Sequence, residues 1–173
     1  MKIILVGYMG SGKSSIGQQL ATRLNYTFKD LDTAIESSEG ANVTTIFSEK
    51  GEIYFRKKEN TVLKELISSS ENIVLATGGG TPCYGNVMEL LLSEEDCVTV
   101  YLKGSVAVLT DRLFLEKEKR PLISHLETKE LLNDFIRKHL FERSYYYNQA
   151  SLKVDIDDAS IEGIVEAILL KLL

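Results

Sequence analysis

A glycine-rich loop near the start of the chain constrains the fold more than any other feature. Its sequence, Gly7-Tyr8-Met9-Gly10-Ser11-Gly12-Lys13-Ser14, has the pattern G-x-x-x-x-G-K-[S/T] of a phosphate-binding loop. The apolar run Ile3–Val6 precedes it, and a segment with helical spacing follows it. Glycines let consecutive backbone N–H groups surround an anion, and the helix that begins at Lys13 points its positive dipole end at the same place. The sequence therefore predicts a strand, a phosphate-binding turn and a helix.

Length and composition limit the class of protein. A chain of 173 residues is long enough for one domain with a sizeable core, and we expect a single domain over 1–173. The net charge of −5 argues against a nucleic-acid-binding protein, and no stretch approaches the about 18 apolar residues of a membrane helix. The N-terminal apolar run is too short for a signal peptide, and Cys83 and Cys97 have no metal-ligand spacing. We expect reduced thiols in a cytoplasmic protein.

Strand and helix patterns alternate along the chain. Helical segments separate five expected strands, which are Ile3–Val6, Tyr26–Lys29, Asn72–Ala76, Asp96–Leu102 and Leu152–Asp155. Such alternation predicts an α/β protein with a three-layer, doubly wound parallel sheet.

Two carboxylates follow the second expected strand. Asp30 and Asp32 are two residues apart, so on a strand both would face the same side, at the edge of the sheet where ligands bind. Solvated loop acids or a helix N-cap are the alternatives, because Thr33–Glu36 looks helical. Next to a phosphate-binding loop, we expect a catalytic role for at least one of these two aspartates.

Further candidates lie at the glycine run Gly78–Gly80 and at arginines on helices. Three glycines at the carboxyl end of a strand indicate close approach of a ligand, with a flexible turn as the alternative. Arg120 ends a charged run before a proline, which suits either a mobile lid or a solvated loop. Lys13, Mg²⁺ and Arg120 would supply positive charge for phosphoryl transfer, and an aspartate would orient the hydroxyl. Spare arginines such as Arg56 and Arg143 suggest an acceptor with its own negative charge.

Taken together, the motifs resemble those of the shikimate kinases, small P-loop kinases of the nucleoside-monophosphate-kinase-like group. The resemblance spans essentially the whole chain and depends on the order and spacing of several segments. These are Gly7–Ser14, Asp30–Asp32, Tyr54–Arg56, Gly78–Gly80, Arg120–Leu122, and Arg143 followed by a tyrosine. It implies the strand order 2-3-1-4-5, an acceptor-binding region at about 31–60 and a mobile lid at about 113–124.

The resemblance also implies an activity and its cofactor. ATP would phosphorylate the 3-hydroxyl of shikimate in the chorismate pathway to the aromatic amino acids, with one Mg²⁺ ion and a monomeric enzyme. Ser14 would bind the metal directly and Asp30 through water. The residues expected to hold the nucleotide are Gly10, Ser11, Gly12, Lys13, Ser14, Ser15, Arg112 and Arg120. Arg112 is assigned to the adenine because the last strand-to-helix turn, Asp155–Asp158, is acidic where many relatives have a basic residue.

On the acceptor side, the resemblance assigns the shikimate hydroxyls to Asp32, which would orient or deprotonate the attacking oxygen. Arg56 and Arg143 would hold the carboxylate, beside the backbone of Gly78, Gly79 and Gly80. Lys13, Asp32 and Arg120 are therefore the expected catalytic residues.

Two other functions compete with this interpretation. The nearest alternative is another small-molecule P-loop kinase, such as a gluconate kinase. A nucleotide-dependent switch is disfavoured because the chain has neither an N-K-x-D guanine motif nor a D-x-x-G switch motif. The cluster Tyr145–Tyr147 is expected to serve packing, and no partner is identified for His125 or His139.

Overall fold

The computed structural model describes residues 1–173. Its strands are β1 (Lys2–Val6), β2 (Thr27–Asp30), β3 (Ile73–Ala76), β4 (Cys97–Lys103) and β5 (Leu152–Asp155). Its helices are α1 (Lys13–Leu24), α2 (Leu31–Glu39), α3 (Val43–Ser68), α4 (Val87–Ser93), α5 (Val106–Glu116), α6 (Lys129–Tyr147) and α7 (Ile161–Leu172). The strands form one parallel sheet in the order β2-β3-β1-β4-β5. The predicted fold class and strand order are confirmed.

The central strands explain why their sequences are continuously apolar. Every residue of β1 and β3 is buried, because helices cover both faces of a parallel sheet. Alternate residues of β1 face opposite layers. Ile4 and Val6 belong to the core that includes residues of α2 to α6, whereas Ile3 and Leu5 belong to the core formed with α1 and α7.

Several helix ends follow from local residue chemistry. Asn25 adopts a left-handed conformation (φ 56°) and ends α1. Ser105, Thr128 and Ser160 accept backbone N–H hydrogen bonds as N-caps of α5, α6 and α7. Gly51 (φ 83°, ψ 170°) has a non-helical backbone and interrupts α3.

The placement of Asp32 on a strand was wrong. Strand β2 ends at Asp30, whose carboxylate Oδ1 accepts a hydrogen bond from the Thr33 backbone N–H at 3.1 Å. This N-cap starts α2 at Leu31, and Asp32 therefore lies in the first turn of that helix. Both carboxylates still lie near the phosphate-binding loop, but a helical turn rather than strand alternation places the second one.

The carboxyl ends of the parallel strands all point to one edge of the sheet. The loop Gly7–Gly12 follows β1, α2 follows β2, and Gly78–Gly80 follows β3. The fold therefore brings the predicted site segments to the edge at which open α/β sheets bind ligands. None of the helices combines the length and the apolar character needed to cross a lipid bilayer.

Candidate active site

The loop between β1 and α1 needs glycine at defined positions. Gly10 (φ 77°) and Gly12 (φ 88°) have left-handed backbone conformations that other residues rarely adopt. A Cβ atom on Gly10 would also lie 2.9 Å from the Leu113 side chain of α5. The loop thus packs closely against α5. Arg112 of the same helix donates from Nη1 to the Gly10 carbonyl at 3.3 Å. Its guanidinium therefore contacts the loop from the side of α5.

Lys13 lies buried inside this loop. Its Nζ donates to the carbonyls of Gly7 (2.8 Å) and Tyr8 (2.9 Å). Burial lowers the pKa of Lys13 to about 8, with Asp32 opposing that shift and Arg120 and Arg143 adding to it. Because Asp32 compensates the buried Lys13 charge only in part, the loop offers a favourable place for an anion.

Ser14 at the start of α1 and Asp30 at the end of β2 place two side-chain oxygen groups side by side. The Ser14 hydroxyl donates to Asp30 Oδ2 at 3.0 Å, and the other carboxylate oxygen caps α2. The chain has no cluster of three or more His, Cys, Asp or Glu side chains that could hold a metal by themselves. A hydroxyl and one carboxylate nevertheless fit Mg²⁺, which takes few protein ligands and completes its shell with water and substrate phosphates.

The carboxylate of Asp32 has a pKa well above that of an ordinary aspartate. Burial raises its pKa to about 6, and the nearby negative charges of Asp30 and Glu59 add to the effect, while Lys13 opposes it. A Cβ atom on Gly78 would lie only 3.3 Å from Asp32 Oδ1, so the glycine run passes directly against this carboxylate. An acid of this pKa is largely ionised at pH 7 and still basic enough to accept a proton.

A polar cavity of about 390 Å³ collects most of the predicted nucleotide residues. The predicted site residues that line it are Gly10, Gly12, Lys13, Ser14, Ser15, Asp30, Asp32, Gly78, Gly79 and Arg120. Ser11, which belongs to the same loop, is completely buried. In the cavity wall, Arg120 donates from Nη2 to Glu116 Oε2 at 3.0 Å. Its Nε is buried and has no hydrogen-bond partner in the protein.

Arg56 and Arg143 converge on the glycine run from two different helices. A Cβ atom on Gly80 would lie 2.7 Å from Arg56 Nη2 and 3.2 Å from Arg143 Nη2. One on Gly79 would lie 3.2 Å from Arg143 Nη1. A side chain at Gly80 would therefore displace the two guanidinium groups from this space. Both arginines line a second cavity of about 880 Å³.

Glu59 is a site residue that the sequence interpretation missed. It is only 2% exposed, and its Oε1 accepts from Arg56 Nη1 at 2.9 Å. Its Oε2 accepts from the Thr81 hydroxyl at 2.8 Å, which ties α3 to the end of the glycine run. The ring of Tyr84 lies 3.9 Å from the Arg56 guanidinium carbon. The spacing of three helical residues from Arg56 could have identified Glu59 in the sequence.

Tyrosine and histidine contacts join α6 to the same edge. The Tyr147 hydroxyl donates to the Gly79 carbonyl at 2.6 Å, while Tyr145 is 72% exposed. The packing role predicted for the tyrosine cluster therefore holds for Tyr147 but not for Tyr145. His139, for which no partner was identified from sequence, lies 2.9 Å through Nδ1 from the Tyr8 hydroxyl.

The acidic turn after β5 has a structural contact. Asp157 accepts through Oδ1 from the Ser105 backbone N–H at 3.0 Å, so it joins this turn to the residue that caps α5. A basic side chain could not accept this hydrogen bond.

Comparisons with known proteins agree with this geometry. A family model described as shikimate kinase matches residues 9–173. A shikimate kinase of Flavobacterium psychrophilum is 49% identical over 167 residues, which covers 96% of each chain. The crystal structure of shikimate kinase from Bacteroides thetaiotaomicron superposes with a TM-score of 0.89 and 35% identity, covering 99% of this chain and 98% of the other. Shikimate kinase from Acinetobacter baumannii in complex with shikimate gives a TM-score of 0.82 and 32% identity, covering 99% and 92%.

Proposed function

The chain belongs to the shikimate kinase family and catalyses transfer of a phosphoryl group from ATP to shikimate, and we propose which of its residues perform each part of that reaction. The observation that supports the assignment most directly is the convergence of Arg56 and Arg143 on Gly80 beside the phosphate-binding loop. Two guanidinium forks at one place suit the carboxylate of a cyclic hydroxy acid. A neutral polyol or a nucleobase would leave Arg143 without an anionic partner, because only Arg56 is already paired, with Glu59.

On the donor side, the loop of residues Gly10–Ser15 binds the phosphates of ATP. Lys13 exchanges its contacts with the Gly7 and Tyr8 carbonyls for phosphate oxygens and stabilises the charge that develops during transfer. Ser14 would hold Mg²⁺ directly and Asp30 through water. When bound, the ion would supply charge neutralisation for the phosphates. Arg112 lies beside the loop and packs on the adenine.

On the acceptor side, Asp32 accepts hydrogen bonds from the shikimate hydroxyls and orients the 3-hydroxyl toward the γ-phosphate. As the new bond to phosphorus forms, Asp32 can take the hydroxyl proton. Arg56 and Arg143 hold the carboxylate at the opposite end of the ring, with the Gly79 N–H beside them. This three-point arrangement fixes the distance between the attacking oxygen and the phosphate, which is the main requirement of phosphoryl transfer.

Arg120 supplies a further cation from the segment at about 113–124, which we propose as a mobile lid. Its side chain lines the polar cavity of about 390 Å³ and forms one ion pair, with the exposed Glu116. A weak surface ion pair exchanges readily for a phosphate contact when the lid closes. The acceptor-binding region is proposed for about 31–60, within a single domain over 1–173.

The cellular setting is also a proposal. The product, shikimate 3-phosphate, is an intermediate of the chorismate pathway to the aromatic amino acids. Cys83 and Cys97 are both free thiols, which supports a reducing, cytoplasmic location. We propose that the enzyme acts as a monomer, because one chain contains every side chain assigned above.

Paired substitutions of the two aspartates test the assigned roles. Asp32→Asn removes the proton acceptor and places an amide where the hydroxyls need a carboxylate, so we expect kcat to fall by about 10²–10⁴-fold with ATP still bound. Asp30→Asn should instead raise the Mg²⁺ concentration needed for activity and recover partly at high Mg²⁺. Both variants are assayed across a Mg²⁺ titration, with nucleotide affinity measured by calorimetry. Recovery of Asp32→Asn but not Asp30→Asn by added Mg²⁺ would mean that the two roles are exchanged.

A further inference from the structure

One buried polar contact joins the phosphate-binding loop to the helix of the acceptor side. Tyr8, the second residue of the loop, is only 1% exposed, and its hydroxyl lies 2.9 Å from Nδ1 of His139 in α6. The two rings meet edge to face, with centroids 5.4 Å apart. His139 precedes Arg143 by four residues, so both side chains lie on the same face of α6.

The backbone of Tyr8 belongs to the donor site. Its carbonyl accepts from Lys13 Nζ at 2.9 Å and from the Ser11 N–H at 3.2 Å. A change in the position of the Tyr8 ring would therefore move the carbonyl that holds Lys13. At the other end of the contact, a shift of His139 would move the turn of α6 that carries Arg143.

Both partners are neutral at physiological pH. Burial lowers the pKa of His139 to about 4, and Arg143 adds to the effect while Glu142 opposes it. Burial raises the pKa of the Tyr8 phenol, so this group stays protonated. The phenol can then donate to Nδ1 while the ring proton resides on Nε2, which has no hydrogen-bond partner in the protein. His139 lines the cavity of about 880 Å³, so Nε2 is not trapped in the core.

The neutrality of the pair suits its surroundings. A carboxylate in place of His139 would attract Arg143 and compete with the anionic ligand proposed for it. A neutral Tyr–His hydrogen bond joins the two elements and leaves Arg143 available.

We infer that the Tyr8–His139 hydrogen bond is a positioning contact that fixes α6 against the phosphate-binding loop and so aligns the acceptor held by Arg143 with the phosphoryl group held by Lys13. The inference rests on the proposed function of these two cations. The contact acts on the relative placement of the two substrates, and it contributes little to the binding of either one alone.

The test uses Tyr8→Phe, His139→Leu and the double variant, with His139→Asn as the matched control. Tyr8→Phe keeps the packed ring and removes only the hydroxyl. The asparagine amide can reproduce the hydrogen-bonding group at the Nδ1 position, whereas leucine cannot. With both substrates saturating, we expect kcat to fall about tenfold in Tyr8→Phe and in His139→Leu, since small misplacements in this kind of reaction are costly. The dissociation constants of shikimate and of ATP, each measured alone by calorimetry, should change by less than about threefold.

The double variant should be no slower than either single variant, because both remove the same contact. His139→Asn should recover most of the lost kcat. The inference is overturned if the single variants lose melting temperature but keep kcat at 25 °C, if their effects on kcat multiply, or if His139→Asn is as slow as His139→Leu. A parent enzyme without shikimate-dependent turnover would refute the proposed function and this inference together. A parent with turnover and a Tyr8→Phe variant of equal kcat would refute the inference alone.

Discussion

Replacing Glu59 by glutamine removes one negative charge beneath the proposed acceptor site and keeps the shape of the side chain. In the parent, Glu59 holds Arg56 at 2.9 Å and the Thr81 hydroxyl at 2.8 Å. Glutamine can turn its carbonyl oxygen toward Arg56 and its amide toward the Thr81 oxygen, so neither partner is left unpaired. The substitution therefore changes the strength of the contact with Arg56 more than its geometry.

The size of the effect follows from the change in hydrogen-bond type. A hydrogen bond to a charged group contributes about 1.5–3 kcal/mol, and because Arg56 stays charged, loss of the Glu59 charge moves the contact from the upper toward the lower end of that range. The difference of about 1 kcal/mol allows Arg56 to leave its oriented position more often. Since about 1.4 kcal/mol corresponds to a factor of ten, we expect the KM for shikimate to rise about fivefold. The KM for ATP should stay unchanged, because Glu59 lies on the acceptor side.

Glu52→Gln is the matched control, because Glu52 pairs with the same arginine at a longer distance and on the protein surface. Its Oε1 lies 3.9 Å from Arg56 Nε, and its side chain is 55% exposed. Exposed pairs contribute about 0–1 kcal/mol, and at 3.9 Å this one should lie near the lower end of that range, so the KM for shikimate should change by less than about twofold.

Steady-state kinetics with each substrate varied at saturating concentrations of the other measure both constants. If Glu59→Gln and Glu52→Gln have the same KM for shikimate, the buried pair does not orient Arg56. If Glu59→Gln raises both KM values equally, Glu59 supports the fold as a whole rather than the acceptor site.

Three other predictions concern Lys13, Arg120 and His139. Lys13→Ala should remain folded by circular dichroism but lose about 10²–10³-fold in kcat, and near-normal kcat would refute its role in charge stabilisation. Arg120→Ala should lower kcat while the shikimate affinity measured by calorimetry without nucleotide stays intact, and a sharp loss of that affinity would place Arg120 in the acceptor site. The unfolded chain protonates His139 near pH 6.5, whereas the folded ring resists protonation until about pH 4. The parent should therefore lose unfolding free energy relative to His139→Asn as pH falls through this window, and parallel denaturation profiles for the two proteins would contradict the lowered pKa.

Most of the fold could be predicted because local signals agreed with the tertiary structure. The apolar runs that form β1 and β3 are each determined by a few neighbouring residues. Asp32 was misplaced because one hydrogen bond from Thr33 to Asp30 starts a helix earlier than strand alternation suggested. Two sequence signals, the Thr33–Glu36 helix pattern and an aspartate before it, favoured the correct alternative.

The site residues could be predicted only where they belong to a recognised sequence motif. The phosphate-binding loop has such a motif, but the Tyr8–His139 contact joins residues 131 positions apart. Nothing in the sequence near His139 indicates that it faces a tyrosine, because that contact depends on how α6 packs over the sheet. Glu59 is an intermediate case, since its spacing from Arg56 is visible in the sequence but its burial and its contact with Thr81 are not.

The central claim is that this site phosphorylates a cyclic hydroxy acid that carries a carboxylate. The most direct measurement is ADP formation from ATP and Mg²⁺ with shikimate, quinate, gluconate or a nucleoside monophosphate as acceptor, together with ³¹P NMR of the product. We expect ADP formation to depend on shikimate, with one phosphate on its 3-hydroxyl. Faster turnover with gluconate or a nucleoside monophosphate, or ADP release at the same rate without any acceptor, would contradict the account.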